Sequence, residues 1–143
     1  MISNIIPFFP LTSKDIQHIF KKVILYISRG YENIYWKKLQ VDDTVYHHFT
    51  DPNYIEYLEY TSTTPTSSNK ESFIFAKRGA HDLEDNIFLQ ALKAFMTRGY
   101  FNQSEKIARI EYSEASNELI LRWCHDEHHE SVPCEEGWRV ALD

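Results

Sequence analysis

Glycine is scarce in this chain, with four residues in 143. No Gly-x-Gly-x-x-Gly, Walker loop, Gly-x-Ser-x-Gly elbow or His-Glu-x-x-His is present, which removes the familiar phosphate cradles, the nucleophile elbow and the zincin helix from consideration. Proline is nearly as rare, at five, while aromatic residues reach 15%, a balance that excludes disordered and collagen-like chains. Cysteine occurs twice. Cys124 and Cys134 allow at most one intramolecular disulfide, far below the density of small secreted scaffolds, so a reducing cytoplasm is the expected location. No apolar run approaches the ~20 residues that cross a bilayer, and the longest, Ile16 to Ile27, is interrupted by Lys21 and Lys22. Met1 to Pro10 lacks the basic residues that open a secretory signal, and Pro7 and Pro10 break its apolar stretch, so neither export nor membrane insertion is expected.

Positive charge is the last shortage, and it is local. Residues 1–110 carry 13 Lys or Arg against 12 Asp or Glu, whereas 111–143 carry only Arg122 and Arg139 against nine acids. The net charge of -6 therefore belongs to the C-terminal end. A one-signed surface attracts its complement over a Debye length of ~8 Å in physiological salt and repels phosphates. A basic protein is the partner this end predicts, and direct binding to a nucleic-acid backbone there is not expected.

What the chain has in quantity is apolar patterning. With 43% apolar residues at this length, one core and one domain spanning 1–143 are expected. Ile16, Ile19, Phe20, Val23, Ile24 and Ile27 recur on one face of a helix over about 13–29, with Ser13 as N-cap, Asp15 in the first turn and Gly30 as a stop. Leu25 falls on the charged side. Between Asn33 and Arg78 the pattern turns strand-like: Ile34–Leu39, Thr44–Phe49, Tyr54–Thr61 and Ser72–Lys77, with turn signals at Asp42-Asp43 and Asp51-Pro52-Asn53. Residues 62–70 contain no apolar side chain and read as a mobile loop. A second helix is predicted over about 83–98, capped by Asp82, with Gly99 after it. Ile107–Tyr112 and Glu118–Cys124 alternate around a turn and predict a C-terminal hairpin, with a short final strand at Trp138–Leu142. The order predicts an α+β domain with a mainly antiparallel sheet of five to seven short strands and two main helices.

The richest chemistry lies in Cys124-His125-Asp126-Glu127-His128-His129-Glu130, followed by Cys134. Zinc takes thiolate and imidazole donors, and Cys124, His125, His128, His129 and Cys134 supply both. Their spacing is not that of paired Cys-x2-Cys sites, so no metal or other cofactor is assigned and zinc stands only as an alternative. His47-His48 in a strand point to opposite faces. His81-Asp82 has no nucleophile beside it, and Glu56 and Glu59 sit on opposite faces of their strand. Tyr54, Tyr57 and Tyr60 divide over both faces of one strand, which leaves some aromatics to be exposed as interface anchors. Tyr35-Trp36-Lys37-Lys38 interleaves rings with cations, a weak pattern for stacking single-stranded bases.

These features point to a non-catalytic cytoplasmic binding protein, of the kind that includes immunity proteins neutralising a basic toxin or nuclease. Asp126, Glu127, Glu130, Glu135 and Glu136 would meet the partner's cations, with Trp138 as an apolar anchor. Two rivals follow from the same residues: a metalloprotein or enzyme centred on the Cys/His cluster, and a self-associating structural or adaptor subunit, such as a homodimer, pairing exposed strand edges.

Overall fold

A computed structural model describes residues 11–63, 70–125 and 134–142, with the backbone alone at 60–63 and 70–73. The elements are α1 (Ser13–Gly30), β1 (Trp36–Val41), α2 (Asp43–Phe49), β2 (Tyr57–Thr63), β3 (Lys70–Ala76), a 3-10 turn (His81–Leu83), α3 (Ile87–Thr97), β4 (Gln103–Ser113), β5 (Glu118–Cys124) and β6 (Glu135–Ala141). The α+β class is the one the sequence predicts.

Helix α1 begins with a capping box one residue earlier than its sequence suggests. Thr12 Oγ1 accepts the Asp15 backbone N–H at 3.3 Å, and the Asp15 carboxylate accepts the Thr12 N–H at 3.0 Å. These bonds hold the Asp15 carboxyl below the usual range. Ile16, Phe20 and Ile24 are buried along the predicted stripe. Leu25 lies half in solvent, on the other side. Near the C-terminal end, the buried Ser28 joins α1 to the sheet: its Oγ accepts the Leu39 N–H at 2.9 Å, and its carbonyl accepts Trp36 Nε1–H at 3.0 Å. Satisfying both donors lets the wholly buried Trp36 enter the core, since an unpaired indole N–H there costs about 1–3 kcal/mol.

Residues 44–49 are helical, not extended. Asp42 is an N-cap, its carboxylate accepting from the Thr44 N–H at 3.2 Å and the Thr44 hydroxyl at 2.7 Å. Val45, Tyr46 and Phe49 then face the core together, as positions 0, 1 and 4 of a helix do. A seven-residue segment rich in β-branched and aromatic residues reads locally as a strand, and here capping and packing override that preference. The second predicted helix starts late. Asp82 is held by Arg78 at 2.8 Å and by the Glu56 N–H at 3.4 Å, and the cap of α3 is Asn86, whose Oδ1 accepts from the Phe88 N–H at 3.0 Å. Asn86 Nδ2–H also donates to the Phe49 carbonyl at 3.1 Å, so one buried amide caps α3 and satisfies the end of α2. Phe20, Phe49 and Phe88 bring the three helices together, with ring centroids 5.9 Å and 5.5 Å from Phe88.

The main sheet has the order β1-β4-β5-β6, and β2-β3 form a separate antiparallel pair. β1 runs parallel to β4, from Trp36 opposite Gln103 to Val41 opposite Ile110, the one parallel pair among the described strands of a mainly antiparallel arrangement. The chain reaches β4 only after α2, β2-β3 and α3, a connection long enough for a parallel crossover. β5 has the predicted bounds, while β6 begins at Glu135, three residues earlier than predicted. β2 extends to Thr63 and β3 starts at Lys70, so the ends of the predicted loop 62–70 are strand; 64–69 lie outside the described residues.

Candidate functional site

The acidic end is built on β4, β5 and β6, and its described carboxylates are largely matched by cations. Glu111 accepts from Arg122 Nε at 2.6 Å, Glu135 meets Lys106 at 3.3 Å, and Arg139 joins Glu118 at 3.2 Å and Glu136 at closer range. Register explains the first and third sets. Arg122 faces Arg109, two positions from Glu111 on the same face, and Arg139 faces Ile120, two positions from Glu118. The hydrogen bonds that Arg139 donates to Glu136 and Glu118 raise its pKa above the ordinary value. Both arginines that the charge count set against nine acids are therefore committed inside the hairpins. Asp126, Glu127 and Glu130 lie outside the described residues.

Trp138 is placed as part of the core margin. Its ring packs against Phe95 at 4.8 Å, Tyr100 at 5.7 Å and Phe101 at 6.0 Å, and Nε1–H donates to the Tyr100 carbonyl at 3.2 Å. A ring held by three aromatic neighbours and a hydrogen bond is poorly suited to act as a free anchor. The preceding Gly137 leaves room for a different ring, the Trp123 indole of β5: a Cβ there would stand 2.7 Å from Trp123 Nε1.

Cys124 and Cys134 are joined to one another in a disulfide with their Cα atoms 4.5 Å apart. The pair continues the β5-β6 register one step beyond Trp123–Glu135. With both sulfurs in one covalent bond, neither is a thiolate donor for zinc. His125 is exposed, and His128 and His129 lie outside the described residues. Among the described residues no group of three or more His, Cys, Asp or Glu side chains converges as metal ligands.

A second titratable cluster was hidden by the strand reading of 44–49. On α2, His48 stacks on Tyr112 at 3.7 Å and its Nε2 lies 3.3 Å from the Tyr54 hydroxyl. A cleft of about 310 Å³ is lined here by Thr44, His47, His48, Asp51, Tyr112 and Glu114. Burial lowers the His48 pKa, against the opposing charges of Asp51 and Glu114, so the ring is neutral at neutral pH. The two hydroxyls of the described lining are both engaged: Thr44 donates to Asp42 at 2.7 Å and accepts the Tyr112 N–H at 3.1 Å, and the Tyr112 hydroxyl donates to Asn117 at 2.7 Å. This arrangement joins α2 to the end of β4. The Asp42 cap, three residues before Val45, is the sequence signal that places His48 on a helix.

The remaining candidates are placed as follows. His81 Nδ1 lies 3.6 Å from Glu84, and Asp82 is bound by Arg78. Glu56 precedes β2 and pairs with Lys77 at 3.6 Å. Tyr54 precedes β2, and the Tyr57 hydroxyl donates to the Thr50 carbonyl at 2.5 Å. Trp36 is buried, so the pattern at 35–38 offers no indole face to a base. No described helix is long and apolar enough to cross a membrane. Comparison with protein-family models, curated proteins and solved structures found no match.

Proposed function

We propose that the chain is a non-catalytic binding protein of the immunity-like class, which occludes a basic toxin or nuclease with the acidic segment bounded by Cys124 and Cys134. One observation supports this reading above the others. The disulfide holds the two ends of that segment together beside β5 and β6, and its Asp126, Glu127 and Glu130 have no Lys or Arg among them. A segment closed at both ends has less conformational freedom to lose on binding than an open one. Glu135 and Glu136 contribute less than the charge count implies, because each must exchange a cation of its own for one of the partner's. Exposed pairs of this kind are worth about 0–1 kcal/mol, so the exchange is feasible but yields little. Trp138 contributes by keeping β6 in place.

Cytoplasmic residence, expected from the low cysteine count, sits against the disulfide that carries this reading. A reducing cytoplasm keeps cysteines as thiols, so the closed form of the segment belongs to an oxidising setting. The test is capture from lysate of the expressing cells, with the native chain and an Asp126→Asn/Glu127→Gln/Glu130→Gln chain as baits. A basic protein held by the native bait at about 0.01 M salt, and released as screening shortens to ~3 Å near 1 M, is the expected result. Equal capture by the neutralised bait would overturn it.

A further inference from the structure

The ends of α1 and α3 enclose a groove of about 580 Å³, within the size range of ligand sites. Tyr26, Ile27, Tyr31 and Met96 form its apolar walls, and Arg29 and Lys93 supply its charge. Tyr26 is 81% exposed, the most open of the exposed large apolar side chains described. Tyr31 is stiffer. It packs on Tyr35 at 5.4 Å and Trp36 at 6.4 Å, and its N–H closes α1 on the Ile27 carbonyl. Met96 adds an adaptable, polarisable floor. We propose that this groove docks a short acidic segment of a protein partner, one apolar side chain lying between the tyrosines and its flanking carboxylates meeting Arg29 and Lys93.

Both helices end here, and each C-terminus contributes roughly -0.5 of an elementary charge, while the two side chains contribute two full positive charges. The groove is left with about one positive charge, in a chain whose net charge is -6. No carboxylate lines it, and neither cation has an ion pair among the described residues. Arginine takes carboxylates bidentately, which favours a peptide acid over a hydrophobic ligand alone. Nucleic acid is the poorer fit, because two cations neutralise few phosphates and the rest of the backbone meets an acidic protein.

The site is independent of the acidic segment, so one reading survives the failure of the other. The test uses the full chain, labelled with ¹⁵N, titrated with three synthetic peptides of equal length. One places a tryptophan between glutamates, one replaces the glutamates with lysines, and one replaces the tryptophan with glycine. The acidic tryptophan peptide is expected to shift the amides of Tyr26, Gly30, Tyr31 and Lys93 saturably, and to bind at least about tenfold more tightly than the other two. Arg29→Glu/Lys93→Glu should weaken it by a further factor of about ten or more. Gly30→Leu is the second variant: Gly30 lines the groove and a Cβ there meets nothing within 4 Å, so a larger side chain is expected to obstruct the groove without a clash at its Cβ. It should abolish the shifts while distant amides keep their positions. Shifts mapped elsewhere, equal binding of the lysine peptide, tighter binding of a single-stranded oligonucleotide, or groove shifts that grow with protein concentration alone would each overturn the assignment, the last by making a second copy the occupant.

Discussion

The hairpin end and the helix end of this protein hold their charges in opposite ways. On β4 to β6, carboxylates and cations are matched with one another, Glu111, Glu118, Glu135 and Glu136 each pairing with a Lys or Arg. At the ends of α1 and α3, Arg29 and Lys93 stand beside exposed rings, with no carboxylate among the described residues that line the groove. The acidic excess is thus concentrated where the described acids are occupied, and the available charge near the helices is positive. Formal charge along a sequence states how much charge there is. Pairing in three dimensions states how much of it a partner can use.

The largest expected effects test whether the hairpin end is closed by packing as well as by charge. Trp123→Ala should lower stability by about 3–5 kcal/mol in urea unfolding, because this buried ring fills the core beneath β6. Tyr26→Ala in the exposed groove should change it by no more than about 0.5 kcal/mol. Equal losses would erase the contrast. Reducing the disulfide, or the Cys124→Ser/Cys134→Ser variant, should cost about 2–3 kcal/mol, since the bond closes a ten-residue separation in the unfolded chain. Amide exchange should accelerate in β6 and leave α1 unchanged.

Two smaller effects sharpen the comparison. His48 has a lowered pKa, so between that value and 6.5 the unfolded chain binds more protons than the folded one, and stability falls as pH drops through that window. The partly exposed ring limits the loss to under about 1 kcal/mol. It is read as the difference in urea midpoint between native and His48→Gln chains at pH 7.5 and pH 5.5, and an identical pH response would remove His48 as the cause. Glu135→Gln should change stability by less than about 1 kcal/mol, because its pair with Lys106 is solvent-exposed on the acidic side.

How far the sequence discloses this arrangement depends on the range of the interaction. The α1 stripe is legible because Ile16, Phe20 and Ile24 recur at the helical period, and β5 because a seven-residue strand pattern follows a turn. The segment at 44–49 misleads because Val45, Tyr46 and Phe49 favour extended backbone locally, while the Asp42 cap and the Phe49–Asn86 contact decide for helix. The parallel β1-β4 pairing leaves no local trace, since neither strand encodes its partner. The candidate site suffers most from the same limit. The richness of acids after residue 110 is visible at once, but the diagonal that brings Arg122 to Glu111 requires the register of two strands. The groove is hidden too, because Tyr26 and Lys93 belong to helices 67 positions apart in the chain, and only their packing makes a site.

The contrast in charge is tested most directly by reacting the folded chain with a limiting amine-acylating reagent and following each lysine by mass spectrometry. Lys93 faces an open groove, whereas Lys106 is mostly covered and held by Glu135. Lys93 should therefore label severalfold faster than Lys106, with Glu135→Gln narrowing the gap. Equal rates in the native chain would contradict the account.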